Sequence, residues 1–131
     1  MTDSIRGLIG EFSGKAGFEV NLIERNASMS IPTPIMTVLF RLLQESLSNV
    51  AKHAKAKHVT VTLGETGQAV TLHVTDDGVG FDPESLTTKE KAIGIVGMRE
   101  RVRPLGGTVK IISRPSQGTT VAVSVPLHAS T

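Results

Sequence analysis

Val70-Thr71-Leu72-His73-Val74-Thr75-Asp76-Asp77-Gly78-Val79-Gly80 joins an alternating apolar segment to an acidic, glycine-bearing turn. Val70, Leu72 and Val74 alternate with polar residues, the period of a strand with one buried face. The strand runs straight into Asp-Asp-Gly, a turn signal, so it delivers Asp76 at its end beside Gly78 and Gly80. Two further blocks bracket it. Upstream lies Gln44-Glu45-Ser46-Leu47-Ser48-Asn49-Val50-Ala51-Lys52-His53-Ala54, and downstream Gly94-Ile95-Val96-Gly97-Met98-Arg99-Glu100-Arg101.

Working outward, Ile35, Val38, Leu39, Leu42, Leu43, Leu47, Val50 and Ala54 recur at three- and four-residue intervals and predict a long helix with one buried face. Val59, Val61 and Leu63 form a strand that pairs with the Val70 strand across a turn at 64–67. Before the long helix, Phe18, Val20 and Leu22 alternate as a further strand, and Pro32 and Pro34 mark the connection between them. Residues 81–92 are polar and aperiodic, the pattern of a loop; a helix is expected from near Gly94 to Gly106-Gly107. Val109 with Ile111, and Val121 with Val123 and Val125, supply two closing strands around a turn at 115–118. At the N-terminus, Ile5, Leu8, Ile9 and Phe12 behind Asp3 predict a short amphipathic helix that Gly14 and Gly17 break. Residues 1–17 are read as the remnant of an upstream helix or linker, 18–127 as the domain and 128–131 as a polar tail.

Composition narrows the function classes. With 131 residues and 39% hydrophobic content, the chain suits one domain with a single core. Its 14 basic and 12 acidic residues are interspersed and only 3% of residues are aromatic, which argues against a nucleic-acid surface. Cysteine is absent, which removes disulfides, thiolate metal sites and a cysteine nucleophile and fits a reducing compartment. No run approaches the roughly 20 apolar residues of a membrane span, so direct membrane contact by this segment is not expected and a cytoplasmic location is.

On the long helix Glu45, Asn49 and His53 are four apart, and at about 100° per residue they form one stripe along the border of the apolar face. A solvated face is the ordinary reading of such residues. A carboxylate, an amide and a basic group in line is also what a metal-bound triphosphate needs: Asn49 can ligate a hard cation through oxygen, and Lys52 and His53 can neutralise phosphate. Glu45, one turn away, could take a proton from an attacking nucleophile. Asp76 likewise has a plain reading as a turn residue. Glycine at 78 and 80, with a second pair at 94 and 97 where a helix is expected to start, tilts the balance, since glycine lets backbone approach a ligand and helix N-termini attract phosphate. Asp76 beside this cradle can accept a hydrogen bond from the exocyclic amine of adenine, whereas guanine presents a carbonyl oxygen there. Neither glycine pair fits the Walker pattern or the GxGxxG of dinucleotide folds.

In these blocks the chain resembles the GHKL ATPases, and among them the catalytic ATP-binding domains of bacterial sensor histidine kinases. Residues 45–54 are similar to the N box in the Lys-His-Ala form of the nitrate-sensor and DesK-like subgroup. Residues 76–80 resemble the first glycine box, 94–101 the second, and Gly118-Thr119 the closing Gly-Thr element. The resemblance implies an α/β two-layer sandwich (α+β) of the Bergerat type: a mixed sheet of about five strands covered on one face by about three helices. It implies ATP and Mg²⁺ as cofactors, Asp76 for the adenine amine, Asn49 for the metal, Glu45 as catalytic base, and Lys52 and His53 near the phosphates. Gly78, Gly80, Gly94, Gly97 and Met98 would be further nucleotide-binding positions, Thr119 would support the adenine end, and residues 81–92 would be the ATP lid. Pro104 departs from the pattern and is expected to distort the end of the second-box helix.

Kinases of this type carry a helical dimerisation domain whose phospho-accepting histidine precedes an acidic residue, and none of His53, His58, His73 or His128 has such a neighbour. The implied activity is therefore transfer of the γ-phosphoryl group to a histidine on another domain, with that dimerisation domain and a downstream response regulator as partners; a parent protein of this type can be membrane-anchored or not. Two alternatives stand beside it: a serine kinase of the anti-sigma-factor type, which the Lys-His-Ala form disfavours, and a regulatory module that binds adenine nucleotide without turnover, which Glu45 disfavours.

Overall fold

A computed structural model describes residues 2–15, 18–25, 31–66, 68–80 and 89–127. Helix α1 spans Thr2–Lys15, strand β1 Glu19–Arg25 and helix α2 Thr33–Asn49, and one π-helical turn, Val50–Ala54, extends α2. Strands β2 (His58–Glu65) and β3 (Ala69–Asp76) follow, then helix α3 (Lys89–Val102) with a 3₁₀ turn at Arg103–Leu105, and finally β4 (Thr108–Ser113) and β5 (Thr119–Pro126).

The five strands form one mixed sheet in the order β1-β2-β3-β5-β4. β1 and β2 are parallel, which requires a long crossover, and α2 lies in that crossover. The β2–β3, β3–β5 and β5–β4 pairs are antiparallel. Strand alternation then sorts the faces: Val59, Val61 and Leu63 of β2, Val70, Leu72 and Val74 of β3, and Val121, Val123 and Val125 of β5 are all buried. The opposite face carries Thr60, Thr62, Thr71, His73 and Thr75, half-buried or exposed. One core unites the buried face with the apolar stripe of α2 (Leu39, Leu42, Leu43, Leu47) and with Met98 and Val102 of α3. Each such side chain contributes about 1.5–3 kcal/mol on burial, and this sandwich fixes where the strand ends stand.

The amphipathic helix expected at the N-terminus is found and helps build this core: Ile5 is fully buried, Leu8 and Ile9 nearly so, and Arg6 reaches Glu24 of β1 at 3.2 Å. The β2–β3 turn falls later than expected, because Gly64 pairs with Thr71 inside the ladder and the chain reverses around Thr66, whose Oγ1 accepts the amides of Gln68 and Ala69. The distortion expected from Pro104 is found: α3 stops at Val102, tightens into the 3₁₀ turn, and ends at Gly106 in the left-handed region at φ 72°.

Candidate functional site

The strand ends place Asp76, Thr119 and Ser113 in one row. Asp76 is opposite Thr119 across β3–β5, and Thr119 is opposite Ser113 across β5–β4. Directly opposed residues point to the same side of a sheet, with Cβ atoms about 4.5–5.5 Å apart. That side is the helix-covered one, and Asp76 is buried there at 8% exposure. A carboxylate taken out of water needs donors, and Asp76 Oδ1 accepts the Gly78 amide at 2.8 Å, the local turn that its Asp-x-Gly spacing encodes.

Two glycines at this end have a packing role. Gly80 sits at φ 64°, and a Cβ there would run into the carbonyl of Arg114; a Cβ on Gly118, at φ 76°, would strike the Asp76 carbonyl. Both are required for backbone to pack on backbone, locking the loop after β3 against the β4–β5 turn. The Ser116 amide also donates to the Val79 carbonyl across this seam. Behind it Ser113, itself buried, donates from Oγ to the Gly118 carbonyl at 3.1 Å and lies 2.7 Å from Thr119 Oγ1. Sequence reading passed over Ser113; its position, last in an alternating strand and opposite a Gly-Thr pair, was the available signal.

Asp77 was also passed over. Its Oδ1 accepts the backbone amides of Lys57 at 2.8 Å and His58 at 3.0 Å, and its Oδ2 pairs with His58 Nδ1 at 2.9 Å. The amide of His58, then its ring and the amide of Lys57, hold the Asp77 carboxyl down at about 2. This bond set pins the start of β2, just beyond the π-helical turn, to the loop that carries Asp76.

On the helical side, Glu45 and Asn49 both border Gly94. A Cβ on Gly94 would stand 3.1 Å from Glu45 Oε1 and 3.6 Å from Asn49 Nδ2, so the absent side chain is what lets the α3 backbone lie against this polar pair. The expectation that a helix starts at Gly94 is corrected: α3 starts at Lys89, its first turn occupies residues expected to be loop, and Gly94 and Gly97 are interior. Helix-terminal N–H groups at those two glycines are accordingly not available to an anion. Among the described residues, no atom beyond its own helical turn lies within 4 Å of where a Gly97 Cβ would be, while Met98 is 2% exposed and belongs to the core. Beyond Asn49 the helix widens into the π turn, which shifts the phase of the expected stripe, and Lys55 closes it at φ 53°. Lys52 is exposed on this turn. The side chain of His53 and the lid positions 81–88 lie outside the described residues.

Among the described residues no group of three or more His, Asp or Glu side chains could hold a metal ion alone. The donor set of Glu45 and Asn49 instead fits a cation that arrives with phosphate ligands of its own. No described helix is long and apolar enough to cross a membrane.

The architecture defined here is that of histidine kinase ATP-binding domains. The histidine kinase domain of the Erythrobacter litoralis blue-light activated histidine kinase superposes with a TM-score of 0.71 at 23% identity, covering 95% of this chain and 58% of that one. The Acinetobacter baumannii histidine kinase AdeS gives 0.73 at 12% identity over 96% of this chain and 64% of the other. In sequence, residues 36–129 match the family described as histidine kinase-, DNA gyrase B-, and HSP90-like ATPase, and the chain belongs to it. The signal transduction histidine-protein kinase/phosphatase DegS of Brevibacillus brevis is 36% identical over 95% of this chain, and the sensor histidine kinase LiaS of Bacillus subtilis 33% identical over 97%. The chain spans 32% and 34% of the lengths of these two relatives.

Proposed function

We propose that this chain binds MgATP and serves as the catalytic domain of a two-component sensor histidine kinase, passing the γ-phosphoryl group to a histidine on a dimerisation domain that in turn supplies a response regulator. The observation that carries the reading is the close approach of Gly94 to Glu45 and Asn49 on one side, combined with a buried carboxylate, Asp76, at the end of the strand row on the other. Asp76 accepts the adenine amine. Asn49 ligates the magnesium that ATP brings, and that metal, when bound, neutralises charge on the phosphates. Lys52 and His53 add positive charge at the same end, and Glu45 takes the proton from the attacking histidine nitrogen. The location this implies is cytoplasmic.

The phosphotransfer test uses radiolabelled MgATP with this chain alone and with the histidine-bearing domain of a sensor kinase in trans. Alone it labels itself at most in trace, because none of its four histidines precedes an acidic residue as the phospho-acceptor of such kinases does. With the partner, acid-labile phosphate accumulates on that domain, and Glu45→Gln slows transfer more than it weakens ATP binding. Acid-labile phosphate in stoichiometric amount on this chain by itself refutes the reading. Calorimetric titration adds the nucleotide test: ATP binds more tightly than GTP, and Asp76→Asn costs about 1–3 kcal/mol of ATP affinity.

A further inference from the structure

Thr119 is the partly buried hydroxyl opposite Asp76, and which way its proton points decides whether it offers a donor or an acceptor beside that carboxylate. Ser113 bears directly on this. A serine hydroxyl has one proton. With that proton given by Ser113 Oγ to the Gly118 carbonyl at 3.1 Å, in a site where Ser113 is 8% exposed, the 2.7 Å contact between Ser113 Oγ and Thr119 Oγ1 takes Thr119 as donor. This proton assignment makes both bonds. Thr119 Oγ1 then has its proton directed back toward β4 and its lone pairs available as acceptors. Asp76, ionised, is an acceptor as well.

We infer that Ser113 is a specificity-determining positioning residue: by holding Thr119 as an acceptor, it makes the end of the strand row a two-acceptor surface that favours a 6-amino purine over a 6-oxo purine. The inference rests on the reading of Asp76 as the adenine contact. An amino group at the purine 6-position carries two protons and no lone pair available for bonding, which matches two acceptors. An oxo group there carries only lone pairs and meets repulsion from both. Without Ser113, Thr119 is released to rotate, donate to an oxo group and weaken the discrimination that Asp76 alone would supply.

Direct binding titrations of ATP and of inosine triphosphate, which differ at the 6-position and adjacent ring protonation but not in the sugar or phosphates, test this. The unmutated chain should prefer ATP. Ser113→Ala should reduce the ATP-to-inosine-triphosphate affinity ratio by about tenfold, the worth of one hydrogen bond, while Ser113→Thr keeps it. Thermal unfolding of each variant checks the fold, and a second pair keeps the test decisive should Ser113→Ala unfold: Thr119→Val should lower the ratio too, and Ser113→Thr added to Thr119→Val should change nothing further. A purely structural Ser113 would alter both affinities together and leave the ratio in place. A ratio unchanged in Ser113→Ala, with ATP still preferred in the unmutated chain, overturns the role of Ser113 and spares the nucleotide reading. Failure of the unmutated chain to bind ATP overturns both.

Discussion

Ser46 is 3% exposed in the middle of α2, and its hydroxyl has no hydrogen-bond partner among the described residues. It lies between Glu45 and Leu47, on the face that packs into the core, where a hydroxyl must be stripped of water without repayment. Alanine keeps the small volume, removes the orphan and is the better helix former. Ser46→Ala is therefore expected to raise stability by about 1 kcal/mol, read as a higher urea midpoint at unchanged slope. Asp77 makes the opposite kind of contribution. Its carboxyl is held at about 2 against an ordinary 3.8 by the amides and ring it binds. A depressed folded-state value means that the stabilisation is fully present above the ordinary carboxylate range and is lost as pH falls from about 4 toward 2. Urea unfolding between pH 6 and pH 2 should show Asp77→Asn less stable at pH 6, with a difference that shrinks as the acid end is approached. Because His58 and Asp77 are both substantially exposed, the ion pair adds little and the two backbone bonds carry most of the effect.

At the scale of elements, the meeting of α2 and α3 is where packing and chemistry share the same atoms. Gly94 is inside α3, where glycine costs about 0.5–1 kcal/mol relative to alanine, and the nearest atom to a new methyl is the tip of the exposed Glu45 side chain. Stability and function should therefore separate in Gly94→Ala. Thermal unfolding should show a domain as stable as the parent or slightly more so, since Glu45 can swing away, while phosphotransfer to a histidine domain should fall by tenfold or more because Glu45, the proposed base, has moved. A loss of stability with transfer intact would contradict this. The same helix explains why the second glycine block misled as to geometry. Glycines interrupt an apolar period and read as a helix start, yet α3 carries two of them in its interior.

Across the whole molecule, α1, the sheet and the two long helices share one core, so they should unfold together. Ile5→Ala removes a fully buried side chain from α1 and is expected to cost about 2–4 kcal/mol, seen as a lower urea midpoint in a single transition monitored both by far-ultraviolet dichroism and by a probe on β5. An early, separate transition would show α1 to be an appendage. The sequence by itself determined the elements and their order, because burial of one face imposes a period of two on β2, β3 and β5 and of three to four on α2, and that period is written in single residues. It determined Asp76 as the strand-end carboxylate for the same reason, and ordered blocks around it carried the family. Only the tertiary structure decided the rest, because it depends on contacts between residues far apart in the chain. Ile5 belongs to the core because α1 folds back on β1, and Gly80 and Gly118 are required because two loops press backbone to backbone. Gly94 matters for the side chains it abuts 45 and 49 residues earlier. Ser113 and Asp77 acquire their roles from a carbonyl, a hydroxyl and two amides that strand pairing and loop closure bring to them, and no local pattern encodes that arrangement.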